Sequence, residues 1–248
     1  MCIKLIIFDF DGTLGDTRRN IVMTMQDVMR ELNLPLLDEH VCASTIGLPL
    51  KGCYAQMFPQ LNADELDRCA EVHRRCFAEN LKKITPMPFP QVKETLEVLR
   101  NQGISLAIAS SRTSESLRDL LGRMGIGSLF SCIIGAQDIV HAKPDAEPVL
   151  KILDILGFMA YETLVVGDMD VDILMGASAE TKTCGVTWGN GTRDDLNEAG
   201  ADFIIDRMEE LLEIAEEKIE EKKNACPTRI MTLKLDINVE TRGGKRRK

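Results

Sequence analysis

Short apolar runs that return along the chain, each separated from the next by a stretch of helical spacing, constrain this sequence more than any other feature. They cover residues 3–8, 104–109, 132–134, 163–166 and 184–187, with a weaker one at 203–205. A short run that is apolar throughout, rather than in alternation, fits a strand buried on both faces. Between most of them, residues 92–100, 114–124, 146–156, 172–179 and 194–199 carry apolar positions at helical spacing. Strand and helix in alternation predict an α/β fold, a parallel sheet with helices on both faces.

The interval 16–88 breaks this rhythm. It has no β-branched strand run and offers helix patterns at 18–32, 39–44 and 63–80 instead, so it reads as a helical insertion after the first strand. Its exit, Thr85-Pro86-Met87-Pro88-Phe89-Pro90, is rich enough in proline to forbid helix and stiffen the chain, as a hinge between two modules requires. The division expected is therefore a core of residues 1–15 and 89–216, a cap of residues 16–88, and a C-terminal part, 217–248. Residues 208–223 have the pattern of an amphipathic helix, and 231–239 alternate apolar and polar residues like a half-buried strand of no assigned role.

Composition excludes several classes. In 248 residues, 44% are hydrophobic and 28% charged, enough for one moderate domain with an insertion or for two small domains. No apolar stretch approaches the roughly 18 residues of a membrane span, and the N-terminus does not resemble a signal peptide, so a cytoplasmic protein with no membrane partner is expected. A net charge of -9 argues against nucleic acid, with only residues 245–248 forming a basic cluster. The eight cysteines show no CxxC pairing and read as reduced, mostly buried thiols. Cys69, His73 and Cys76 share one helical stretch, where ordinary core and surface positions account for them better than a zinc site does.

The chemistry concentrates where strands end. The first run leads directly into Phe8-Asp9-Phe10-Asp11-Gly12-Thr13-Leu14. Ligands of an open parallel sheet bind beyond the carboxyl ends of its strands, which puts both aspartates in the crevice, and a turn at Gly12 lets backbone approach an anion. The run at 104–109 ends in Ser110-Ser111, His141-Ala142-Lys143-Pro144 follows a later strand, and Leu164-Val165-Val166-Gly167 leads into Asp168-Met169-Asp170-Val171-Asp172. Singly, each has a plainer explanation as a turn, a helix start or a cap. Their joint register is what points to a site.

In order and spacing these segments resemble the four motifs of the haloacid dehalogenase (HAD)-like hydrolase superfamily, over nearly all of residues 1–215. The similarity is greatest to the phosphoglycolate phosphatase and β-phosphoglucomutase branch, and within it to phosphoglycolate phosphatase. Ile46-Gly47-Leu48-Pro49-Leu50, Val186-Thr187-Trp188-Gly189 and Gly200-Ala201-Asp202-Phe203 add to it. The resemblance implies a Rossmann-like core with an inserted α-helical cap. It implies catalytic roles for Asp9 as nucleophile, Asp11 as general acid and then base, Ser110 as a hydroxyl on the phosphoryl oxygens, and Lys143 as the balancing cation. Gly12, Ser110, Ser111 and Lys143 would bind phosphate. With Asp9, Asp11, Asp168 and Asp172 around a phosphate dianion, one lysine cannot balance the charge, and an all-oxygen donor set suits Mg²⁺. The implied ligands are the side chains of Asp9 and Asp168 and the main-chain carbonyl of Asp11, with Asp172 orienting ligand waters or Lys143.

The chain departs from that pattern at Met169, where serine is common, at Gln91, where glycine often ends the hinge, and at Pro148, a displaced second proline. The substrate expected is a small phosphorylated metabolite, phosphoglycolate or a relative, selected by the cap; the loop 45–50, Arg18, Arg19, Lys51, Arg74 and Arg75 are the candidates to face it. Two other readings stand beside this hydrolase: a sugar phosphomutase on the same aspartyl phosphate, and a non-catalytic protein that binds a phosphate ligand or a polyanion, the latter through residues 245–248. A monomer or a homodimer is expected.

Overall fold

A computed structural model describes residues 3–215 of the chain; the sequence patterns at 217–223, 231–239 and 245–248 lie outside the described residues. The first run forms β1 (Leu5–Phe8), and after a tight loop β2 (Gly15–Asp16) opens the insertion, whose helices are α1 (Arg18–Glu31), α2 (Glu39–Ala43), α3 (Leu50–Met57) and α4 (Ala63–Asn80). β3 (Met87–Pro88) closes it by pairing antiparallel with β2, Gly15 opposite Pro88 and Asp16 opposite Met87. Alternation then resumes: α5 (Val92–Asn101), β4 (Ser105–Ala109), α6 (Ser114–Met124), β5 (Cys132–Ile134), α7 (Glu147–Leu156), β6 (Thr163–Gly167), α8 (Asp170–Ser178), β7 (Lys182–Val186), α9 (Arg193–Glu198) and β8 (Phe203–Ile205). Residues 210–215 are helical.

Six strands form one parallel sheet in the order β5-β4-β1-β6-β7-β8. The chain winds outward from β1 through β4 to β5, then crosses back to β6 and winds outward on the other side. This reversal leaves a crevice beyond the carboxyl ends of β4, β1 and β6, the place where doubly wound sheets bind ligands.

The expected α/β fold is present, and the pleat explains its stability. Along β1, Ile6 and Phe8 face one apolar layer while Leu5 and Ile7 face the other. α5 and α6 cover the first layer with Val92, Leu96, Leu99, Leu117 and Leu121; α7 and α8 cover the second with Val149, Ile152 and Met175. All four β1 side chains are fully buried, each contributing about 1.5–3 kcal/mol of burial. The first layer is continuous with the interior of the insertion, through Phe10, Leu14, Met25 and Phe77.

Three insertion helices fall where the sequence places them. α4 begins at a capping box, with Asn62 accepting from the Glu65 amide and Glu65 accepting from the Asn62 amide. The fourth, α3, is one that the sequence reading did not expect: its N-cap is Pro49, which makes no side-chain cap bond, and Gly52 lies in its first turn. Gln91 takes a left-handed conformation with φ 62° at the start of α5, so the glycine common there reflects a backbone need that glutamine meets under strain. No helix among the described residues is long and apolar enough to cross a membrane.

Candidate active site

Asp9 follows β1 directly, its amide still bonded to the Val166 carbonyl of β6 at 2.9 Å. The chain then closes one tight loop: the Gly15 and Leu14 amides both donate to the Phe10 carbonyl, and the Gly12 amide donates to the Gly15 carbonyl. Gly12 sits at φ +91°, and a Cβ there would collide with the Asp168 carboxylate and the Asn190 amide. Only glycine lets this loop lie against the end of β6.

The loops after β1 and β6 and the segment following β5 bring Asp9, Asp168, Asp172 and Lys143 together. One oxygen from each of the three aspartates lies within 4.8 Å of the others. Lys143 Nζ donates to Asp9 Oδ1 at 2.5 Å and to Asp172 Oδ1 at 2.6 Å. All four residues are buried. Asp172 is anchored twice, since its Oδ2 accepts from the Met169 amide at the start of α8. Asp168 is fixed by three donor contacts: Thr13 Oγ1 at 2.9 Å on Oδ1, and on Oδ2 the Asn190 amide at 2.7 Å and the Asn190 side chain at 3.1 Å, with a Trp188 indole bond to the Thr13 carbonyl bracing the loop. 

Three carboxylates facing one ammonium leave the cluster short of positive charge. Burial, together with Asp172, Asp168 and Asp11, pushes Asp9 well above the usual carboxylate range although Lys143 opposes it. Burial and Asp172 push Asp168 up to about 7, against the hydrogen bonds from Asn190 and Thr13. Burial alone would lower Lys143, but Asp172 and Asp9 outweigh it and hold the ammonium above its ordinary value. Beside the cluster, Asn190 Oδ1 is buried with no hydrogen-bond partner among the described residues. Clustered carboxylates, raised acidities and an orphaned oxygen acceptor fit a hydrated divalent cation held by oxygen ligands.

The other expected residues divide. Asp11 is turned away from the carboxylate cluster: Oδ1 accepts from Thr17 Oγ1 and Oδ2 from Arg112 Nε, each at 2.6 Å. Its main-chain carbonyl faces the Asn190 side chain at 3.5 Å. Ser110, buried at the end of β4, accepts from the Arg112 amide at 3.3 Å. Ser111, expected on phosphate, donates instead to the Gly47 carbonyl of the insertion at 2.6 Å. Gly47 also lies against Met169, which explains how a larger side chain is used at that position. A cavity of about 210 Å³ opens here, lined by Ser110, Ser111, Lys143, Pro49 and apolar residues around Ile139.

Three of the five basic residues expected to face the site are paired elsewhere. Arg18 pairs with Glu39, Lys51 with Asp67 and Arg75 with Glu31, all on the surface, while Arg19 and Arg74 are exposed. Besides Lys143, Arg112 reaches the site through Asp11, and the sequence patterns do not single it out, nor Thr13, Thr17 and Asn190. Arg112 directly follows Ser110-Ser111 and Asn190 closely follows Trp188-Gly189, so position beyond a strand end was the available signal. His73 serves structure: its Nδ1 bonds Tyr54 Oη at 2.9 Å, its ring stacks on Phe77, and burial, with Arg112 and Arg74 nearby, lowers it to about 3.

Comparison with known proteins gives the chain a family. The family profile described as "Haloacid dehalogenase-like hydrolase" matches residues 6–186. The "Probable phosphatase IndB" of Dickeya dadantii is 36% identical, across 84% of this chain and 91% of its own. "Pyrophosphatase PpaX" of Oceanobacillus iheyensis is 34% identical, across 86% and 97%. A crystal structure from Haemophilus somnus, described as a predicted phosphoglycolate phosphatase, superposes with a TM-score of 0.77 at 27% identity, covering 86% of this chain and 97% of the other.

Proposed function

The chain belongs to the haloacid dehalogenase-like hydrolase family and is a phosphatase, and from that premise we propose that it hydrolyses the phosphomonoester of a small metabolite, in a Mg²⁺-dependent reaction that passes through an aspartyl phosphate on Asp9. The observation that carries this reading is the buried Lys143 bridge between Asp9 and Asp172 beside Asp168. It holds Oδ1 of Asp9, while Oδ2 has no hydrogen-bond partner among the described residues.

That oxygen attacks phosphorus as the bond from phosphorus to the leaving oxygen breaks. The leaving oxygen takes its proton from the Asp11 carboxyl, which must first turn from Thr17 and Arg112. Water then attacks the acyl phosphate and gives its proton to the Asp11 carboxylate. Cleavage of the bond between phosphorus and the Asp9 oxygen restores the nucleophile and frees inorganic phosphate. Lys143 holds Asp9 in place and offsets charge on the phosphoryl group, and the Ser110 hydroxyl bonds the phosphoryl oxygens. Asp9, Asp168 and the Asp11 carbonyl, supported by Asp172, would hold a divalent cation, whose charge would let nucleophile and phosphate dianion approach.

The helical insertion serves as the cap over the leaving group. The names carried by relatives, a pyrophosphatase and a phosphoglycolate phosphatase, favour a small anionic leaving group. A panel of phosphorylated metabolites with and without magnesium tests the reading, and release of inorganic phosphate without a bisphosphate activator separates it from a mutase. Asp9→Asn should lower turnover by a factor of roughly 10³ or more with the fold intact by circular dichroism. Near-normal turnover in that variant would refute the nucleophile.

A further inference from the structure

Both oxygens of Asp11 are engaged, one by Thr17 and the other by Arg112. In that position neither can hand a proton to a departing oxygen, so Arg112 must change partner before Asp11 can act. The side chains of Arg112 and Asp11 are 13% and 12% exposed, and a guanidinium left there without an anion is strongly disfavoured. Exchange of one anion for another is therefore favoured over simple loss.

The arginine is seated for such an exchange. Its guanidinium carbon lies 4.6 Å from the Phe77 ring centroid in α4 and 6.0 Å from that of Phe10, so aromatic contact keeps it in place whichever anion it holds. Nη1 reaches Ser116 Oγ only at 3.4 Å, and Nη2 has no hydrogen-bond partner among the described residues, so donors remain for a second ligand. Lys143 is occupied by two carboxylates and is the one basic residue among those lining the cavity beside Ser110; Arg112 lies outside that wall and meets the site through Asp11.

We propose that Arg112 is a positioning and specificity-determining residue, which releases Asp11 by exchanging it for a carboxylate on the substrate's leaving group. The group Arg112 already binds is a carboxylate, so the exchange replaces like with like and keeps a planar, charge-assisted contact. Recognition of the leaving group and delivery of the proton that the leaving group needs thus become one event. The inference rests on the reading of Asp11 as proton donor.

The test uses a matched pair of esters, 2-phosphoglycolate and its neutral amide 2-phosphoglycolamide, with the full-length protein, Arg112→Met and Arg112→Lys. The unaltered protein should prefer the charged ester in kcat/KM by on the order of a hundredfold. Arg112→Met should erase most of that preference, with part of the loss in kcat because Asp11 release is a catalytic event. Arg112→Lys should restore some of it. A role in folding alone would lower both esters equally, and an unchanged ratio in Arg112→Met, or no preference in the unaltered protein, overturns the proposal. Asp11→Asn gives the separate control: full turnover in that variant would overturn the proton-donor reading, and this inference with it.

Discussion

At the scale of single residues, the site divides into groups that carry charge and groups that make room for it. Gly12 is of the second kind, because its loop lies so close to Asp168 that no Cβ fits and its φ of +91° disfavours one anyway. Gly12→Ala should cost about 1–3 kcal/mol of stability and displace Asp168; urea unfolding beside an activity assay measures both, and a variant of native stability and activity would show that the loop yields freely. Asp9 and Asp168 were legible because each directly follows an apolar strand run, and Lys143 because with them it falls in the register that resembles the family's motifs. Thr13 and Arg112 were not, because their roles exist only through partners, Asp168 and Asp11, that lie 155 and 101 positions away. Arg18, Lys51 and Arg75, expected to face the site, pair with surface carboxylates for the same reason: spacing shows that a charge is on a helix, not which carboxylate it finds.

At the scale of elements, the strands and their helices were read closely because a two-faced parallel sheet demands continuous apolar runs. α3 was missed because it spans only eight residues, lacks a side-chain cap and carries Gly52 in its first turn, so its helical signal is weak. α4 carries a buried titratable group with a consequence for acid stability. His73 is held neutral, with its affinity for protons lowered to about 3 from an unfolded value near 6.5. Between those limits the unfolded chain binds a proton that the native protein refuses, so stability falls as pH drops from about 6.5 toward 3, by up to about 1.4 kcal/mol per pH unit. His73→Gln, which keeps a partner for Tyr54, removes this contribution. Denaturant titrations of both proteins should therefore converge as pH falls below 6.5. A difference that stays constant across that range would mean that His73 titrates in the native state.

For the molecule as a whole, the carboxylate cluster works in the opposite direction. Asp9 and Asp168 hold their protons to higher pH when folded than when unfolded, so without a cation the cluster costs stability as pH rises from about 4 through about 7. A divalent ion favours the charged carboxylates and reverses that cost. Thermal unfolding should accordingly rise little on adding magnesium at pH 5 and markedly at pH 8, with EDTA undoing the gain. Equal shifts at the two values would place the ion elsewhere. The Asp16 to Met87 pairing has a consequence of a different sort. Departure and return of the chain occur side by side on a ribbon two residues long, so everything from α1 through α4 is, topologically, a detachable cassette. Any replacement grafted onto that ribbon must do more than span it: it has to fill the apolar seam that Met25 and Phe77 share with Phe10 and Leu14, and supply a carbonyl where Gly47 meets Ser111.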